Sequence, residues 1–171
     1  MPSKPSIQSL ATQRSTREQD GRAVIDIDQY VPYFLEAVNN SLSRGASRLY
    51  LKRFGIGIVE WRIVSMLAIE PDIAAARICE VISLDKGAVS RGLESLDRLE
   101  LLACRSLASD PRRKIWRLSR KGYTLHDQII AVALDREARL LHGVDTKDLE
   151  AFLRVMRVMR KNVNTLQQEG P

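Results

Sequence analysis

A single change of rhythm constrains this chain more than anything else. From Leu101 to Leu107 and again from Ile115 to Leu118, a sequence that otherwise keeps helical spacing turns to short β-compatible runs. Between them lies a polar, proline-containing stretch, Ala108-Ser109-Asp110-Pro111-Arg112-Arg113-Lys114, which reads as a turn between two strands. A lone hairpin inside an all-helical chain cannot be a sandwich or a barrel, and it needs helices to cover it. The expected class is therefore mainly α with a small β-hairpin.

The helices around the hairpin follow from periodicity. Val31, Phe34, Leu35, Val38, Leu42 and Leu49 recur at three- and four-residue steps, giving a first helix to about Phe54, where Gly55 and Gly57 interrupt it. Ile58 to Ala68 reads as a second, largely buried helix ended by Pro71, and Asp72 is placed to cap a short third one running to Ile78 or Glu80. After the link Val81-Ile82-Ser83-Leu84, Asp85 caps a fourth helix. Its Val89, Leu93, Leu96 and Leu99 fall in one arc, with Lys86, Gly87, Ser90, Arg91, Glu94 and Asp97 on the other. Gly122 onward returns to helical period until His142-Gly143, and a last helix from about Thr146 carries Leu149, Phe152, Leu153, Met156, Met159, Val163 and Leu166. Residues 1–25 are poor in large apolar side chains and read as a disordered arm.

The 171 residues carry a formal net charge of +6, so a polyanionic partner fits, either nucleic acid or an anionic membrane. The charge is concentrated: ten basic against five acidic residues lie between Ser83 and Gly122, a surplus of five. No stretch approaches the roughly 20 apolar residues needed to span a bilayer. The first residues hold no hydrophobic run of signal-peptide type, so a cytoplasmic location is expected. Cys79 and Cys104 with His126 and His142 do not assemble a metal set, and no phosphate loop or nucleophile elbow is present. Neither an enzyme nor a cofactor is expected. Both cysteines read as packing residues rather than redox sensors, and Tyr50 and Trp61 as core aromatics or pocket wall.

Three helices followed by a hairpin with a basic tip make a winged helix-turn-helix, whose second turn-linked helix enters the DNA major groove. The residues Gly55-Ile56, Glu60 to Val64, Leu84-Asp85-Lys86-Gly87-Ala88-Val89-Ser90-Arg91, Asp110-Pro111-Arg112 and Leu118-Ser119-Arg120-Lys121-Gly122 occur in an order that resembles the MarR (multiple antibiotic resistance regulator) family. The resemblance spans roughly Val31 to Leu166. Ser83 and Gly57 depart from it where a glycine and a capping hydroxyl are common, and Gly92 interrupts the recognition helix at a helix cost of about 1 kcal/mol relative to alanine.

The resemblance implies a sequence-specific, ligand-responsive repressor that binds an inverted repeat as a homodimer. Lys86, Gly87, Ser90 and Arg91 would face the major groove, while Arg112, with Arg113 and Lys114 beside it, would serve the wing, steadied by Asp110. An effector of organic-anion type, such as an aromatic acid or its acyl thioester, would bind near Tyr50, Trp61 and Arg62. The expected organisation is an arm at 1–25, a dimerisation helix at 26–54, the DNA-binding domain at 55–122 and C-terminal helices at 123–168 that complete the dimerisation region. A competing reading is a winged-helix module that docks a protein without sequence-specific DNA binding.

Overall fold

The computed structural model describes residues 14–107 and 110–168, and among these the side chains of all but residues 107, 110–113, 164, 167 and 168. Along the chain run β1 (Thr16–Gln19), β2 (Arg22–Ile25), α1 (Val31–Phe54), α2 (Ile58–Ile69), β3 (Ile73–Ala74), α3 (Ala75–Ile82) and α4 (Lys86–Arg98). They are followed by β4 (Leu102–Leu107), β5 (Asp110–Leu118), α5 (Arg120–Leu140) and α6 (Thr146–Gln168). The chain divides into two compact units, up to Ile129 and from Ile130 onward.

The core of the first unit is aliphatic. Ile56, Ile63, Val64, Leu67, Ile78, Val89, Leu96 and Ile129 are each at most 1% exposed. Full burial of such a side chain is worth about 1.5 to 3 kcal/mol relative to exposure, so this cluster outweighs any single polar contact around it. The three-stranded antiparallel sheet has β5 in the middle, with Ile73 opposite Trp116 and Leu102 opposite Leu118. Leu102, Trp116 and Leu118 lie on one face of the hairpin and are all buried.

Three expectations need correction. Residues 16–25 were expected to be disordered but form a β-hairpin, with Gln19 opposite Arg22. Asp20 and Gly21 both take positive φ, 52° and 72°, as the two-residue turn that matches strand twist demands. Asp72 does not cap α3, whose N-cap is Ala74. It sits in the left-handed region at φ 62°, which a short polar side chain tolerates, and its carboxylate turns to the sheet instead. The turn expected at 108–114 is shorter, because β5 begins at Asp110. Ala108 and Ser109 lie outside the described residues.

Local chemistry explains the remaining boundaries. Ser83 stands at φ 53° as the C-cap of α3, the conformation that favours glycine, so the link before α4 is only Ser83-Leu84-Asp85. Asp85 caps α4 as expected, its Oδ1 accepting from the Ala88 N–H at 2.8 Å. Gly57 caps α2 without a side chain. Glu60 supplies the reciprocal half of the cap, its Oε2 accepting from the Gly57 N–H at 3.2 Å.

Candidate nucleic-acid interface

The buried and exposed arcs of α4 separate cleanly. Val89, Gly92, Leu93 and Leu96 are buried, whereas Lys86, Gly87, Ser90, Arg91, Glu94 and Asp97 are exposed. Gly92 explains itself here. A Cβ at this position would stand 2.5 Å from Ile63 Cδ1 and 3.3 Å from Val59 Cγ1, so the glycine sets how closely α4 lies on α2. Leu99, expected in the buried arc, is 40% exposed, because the helix ends at Arg98.

The exposed arc is mixed in charge and partly self-engaged. Ser90 Oγ donates to Glu94 Oε1 at 3.2 Å, so this hydroxyl must exchange partners to reach a base. At Gly87 a Cβ would meet Arg91 Nη1 at 3.2 Å and Asp85 Oδ1 at 3.1 Å, which shows the guanidinium lying back over the glycine toward the N-terminus of the helix. Lys114, exposed on β5, holds its ammonium 5.8 Å from the Trp116 ring centroid. A cavity of about 540 Å³ runs between α4 and β5, lined in part by Ser90, Glu94, Asp97, Lys114 and Trp116. The side chains of Asp110, Arg112 and Arg113 lie outside the described ones, although all three residues are on β5.

The anchor of the hairpin base is one that periodicity could not reveal. Arg117 on β5 donates from Nε to Asp72 Oδ1 at 2.8 Å and from Nη2 to Oδ2, and Arg105 on β4 approaches the same Oδ1 at 3.5 Å. The Arg117 hydrogen bonds hold the Asp72 carboxyl below its ordinary range, against a smaller opposing effect of desolvation, and the charges of Arg117 and Arg105 act in the same direction as the bonds. Ala103 stands opposite Arg117 and Arg105 opposite Ile115, so both arginines leave the same face of the sheet and one carboxylate can gather them. The sequence separation of 45 and 33 residues hides this cluster from any local pattern.

Of the residues read as an effector site, Tyr50 is 3% exposed and meets Trp61 edge-on at 6.0 Å, which makes it a core aromatic. Trp61 stacks on His126 at 5.7 Å, a partner the sequence did not single out. Arg62 Nη2 donates to Ser43 Oγ at 3.3 Å. Cys79 is half-buried and Cys104 exposed. Among the described residues, no group of three or more His, Cys, Asp or Glu side chains could hold a metal ion, and no helix is long and apolar enough to cross a membrane.

Helices α2, α3 and α4 with a two-stranded wing define a winged helix-turn-helix protein. Within that class the chain resembles the MarR family of transcription regulators. A MarR/EmrR family regulator from Acinetobacter sp. ADP1 superimposes with a TM-score of 0.77 at 28% identity, covering 82% of this chain and 99% of that one. PcaV from Streptomyces coelicolor, solved with its natural ligand, matches at 0.70 and 16% identity over 82% and 98% of the two chains. MepR from S. aureus, solved with DNA, matches at 0.68 and 18% identity over 77% and 95%. No family model matches the chain.

Proposed function

We propose that this protein is a cytoplasmic, sequence-specific DNA-binding transcription regulator, a repressor that binds an inverted repeat as a homodimer and releases it on binding a small effector. The observation that carries the reading is the exposed arc of α4, where Lys86, Gly87, Ser90 and Arg91 stand clear of the core on a helix capped at its N-terminus by Asp85. Such a helix seats in a major groove, where arginine forks to guanine and serine serves either donor or acceptor. Lys114, with Arg112 and Arg113 in sequence before it, gives the wing a cationic character suited to phosphate or to a narrow minor groove. Asp110 is assigned the role of steadying the wing tip.

The homodimer reading rests on apolar side chains that stay open. Phe34 (58%), Phe152 (53%) and Leu166 (68%) are large apolar side chains left open on α1 and α6, and a second copy is the occupant assigned to them. The solved relatives are regulators rather than enzymes, and one was solved with DNA and another with its ligand. We read this chain as non-enzymatic and ligand-responsive, its effector an organic anion such as an aromatic acid or acyl thioester. A docking module without DNA binding is disfavoured by the basic surplus on the α4 and wing segment.

The test is selection of bound duplexes from a random pool with the full chain, followed by titration of the enriched sequence. The expected product is an inverted repeat with half-sites roughly 10 base pairs apart centre to centre. Arg91→Ala should weaken it by about 1 to 3 kcal/mol and relax preference within each half-site. Absence of an enriched motif, or an Arg91→Ala variant that titrates like the parent, overturns the assignment.

A further inference from the structure

The hairpin ahead of α1 is tied to that helix by a built elbow. Its open end is closed by the Asp26 N–H, which donates to the Ser15 carbonyl oxygen at 2.9 Å. Asp26 then turns the chain into α1: its Oδ1 accepts from the Asp28 N–H at 3.1 Å, and its carbonyl oxygen accepts from the N–H groups of Gln29 and Tyr30 at 3.1 and 2.9 Å. Arg14 Nε donates to Gln29 Oε1 at 3.2 Å across the same elbow. The hairpin therefore leaves the N-terminus of α1 in a fixed direction, so the molecule that covers the open stripe of α1 is the one it meets next. A two-stranded hairpin alone is marginal in water, and an element built this way needs a surface to lie on.

Strand register sorts the hairpin's side chains onto two faces. Arg17, Gln19, Arg22 and Val24 share one, and Thr16, Glu18, Ala23 and Ile25 share the other. The second face is acidic and apolar, and it runs on into Asp26, Ile27 and Asp28 of the elbow, with Ile25 and Ile27 49% and 53% exposed. Helix α6 offers the complement. Its apolar stripe, with Phe152, Met156, Met159 and Val163, takes one side of the helix, while Arg154, Arg157, Val158 and Lys161 follow at steps i, i+3, i+4 and i+7 on the other. All four are exposed, Val158 by 59%, and no acidic residue stands between Ala151 and Leu166. Among the described residues, neither Glu18 and Asp28 nor Arg154, Arg157 and Lys161 form an ion pair. An acidic face with an aliphatic centre thus has a basic face with an aliphatic centre to match it.

We propose that the Glu18 and Ile25 face of the hairpin, with the Asp26–Asp28 elbow, docks on the Arg154, Val158 and Lys161 face of α6 in a second copy, so that each copy clasps the other. A two-fold axis makes the contact reciprocal, and one chain supplies both halves of it. The inference rests on the homodimer reading and deepens it: the clasp uses the side of α6 that faces away from the apolar stripe, and so adds a second, charged layer of contact. Its ion pairs lie at the surface, where salt screens them, whereas burial of the apolar stripe is not weakened in that way.

The test mixes full-length chain labelled only at isoleucine methyls with full-length chain labelled only at valine methyls, so that any isoleucine-to-valine cross-peak joins two copies. Expected are cross-peaks from Ile25 and Ile27 to Val158. Exchange of subunits between two fluorescently labelled pools gives the energetic readout. Glu18→Lys and Arg157→Glu should each speed exchange about tenfold, while the two reversals in one chain should restore most of the parent rate, as a coupled pair requires. High salt should shrink the effect of either reversal. Both positions are exposed, so circular dichroism should stay that of the parent. Ile25 and Ile27 without cross-peaks to α6 of the other copy, exchange unmoved by both reversals, or reversals that add instead of compensating would each overturn the clasp. A chain of single-copy mass overturns the homodimer reading and the clasp with it, whereas a dimer that lacks these cross-peaks overturns the clasp alone.

Discussion

The winged segment and the terminal helices use similar aliphatic residues to opposite ends. In the first, Ile63, Val64, Leu67, Ile78, Val89 and Leu96 are wholly buried within one chain. On the α6 stripe, Phe152, Leu153, Val163 and Leu166 are between 41% and 68% exposed, although they belong to a repeat of helical period. Periodicity thus tells which face of a helix is apolar, but not whether its own chain covers that face. The difference separates a region whose apolar face is covered within one copy from one whose apolar face its own chain leaves open.

The sharpest way to break the self-sufficient half is at Gly122, where the first turn of α5 passes the Leu101 backbone. A Cβ there would fall well inside contact distance of the Leu101 carbonyl oxygen, and neither backbone can yield without opening the bonds that the Ser119 N–H gives to that oxygen and Lys121 Nζ gives to the Leu99 carbonyl oxygen. Gly122→Ala should cost about 3 kcal/mol in urea titration, the upper range for overpacking. An unchanged midpoint would mean that this contact is looser than its bonds imply.

Gly92→Ala should cost less, about 1 kcal/mol net. Crowding of the buried Ile63 is partly offset by the better helix propensity of alanine, and the end of the isoleucine must move with a smaller adjustment of Val59. Stabilisation by this substitution would show that α4 and α2 can separate freely, and would weaken the argument that the recognition helix is rigidly seated.

The smallest effect is expected at Asp72, whose arginine partners are largely exposed. Its carboxyl titrates lower in the folded chain than in the unfolded one because Arg117 hydrogen-bonds to the charged form. The contribution is therefore present above the ordinary aspartate value of 3.8 and lost as pH falls through the lower folded value. Asp72→Asn should abolish this acid-dependent step and lower the midpoint slightly near neutrality. A variant that retains the parent's acid dependence would assign the step to another carboxyl.

Much of this was legible in the sequence, and the gaps have physical causes. Helical period placed α1, α2, α4, α5 and α6, and the side-chain chemistry of Asp85 placed the start of α4. The turn signal Asp20-Gly21 was also present, but a polar composition reads as disorder unless the two-residue turn is weighed against it. The Lys86 to Arg91 face needs only a helix, and so it could be read locally. The Asp72 cluster and the His126 stack on Trp61 each join segments far apart in sequence, and no single-segment pattern encodes them. Leu99 and Tyr50 show the same limit from the other side, since type and spacing alone cannot say that one is exposed and the other enclosed.

The contrast between the two regions is tested most directly by the mass of the free chain in solution. Light scattering at micromolar concentration should give twice the 19.3 kDa of one copy, and Phe152→Glu, on an exposed apolar stripe, should shift it toward the single-chain mass while leaving the helical signal of the winged segment. A parent chain that scatters as 19.3 kDa would contradict the account, because its terminal helices would then stand in water uncovered.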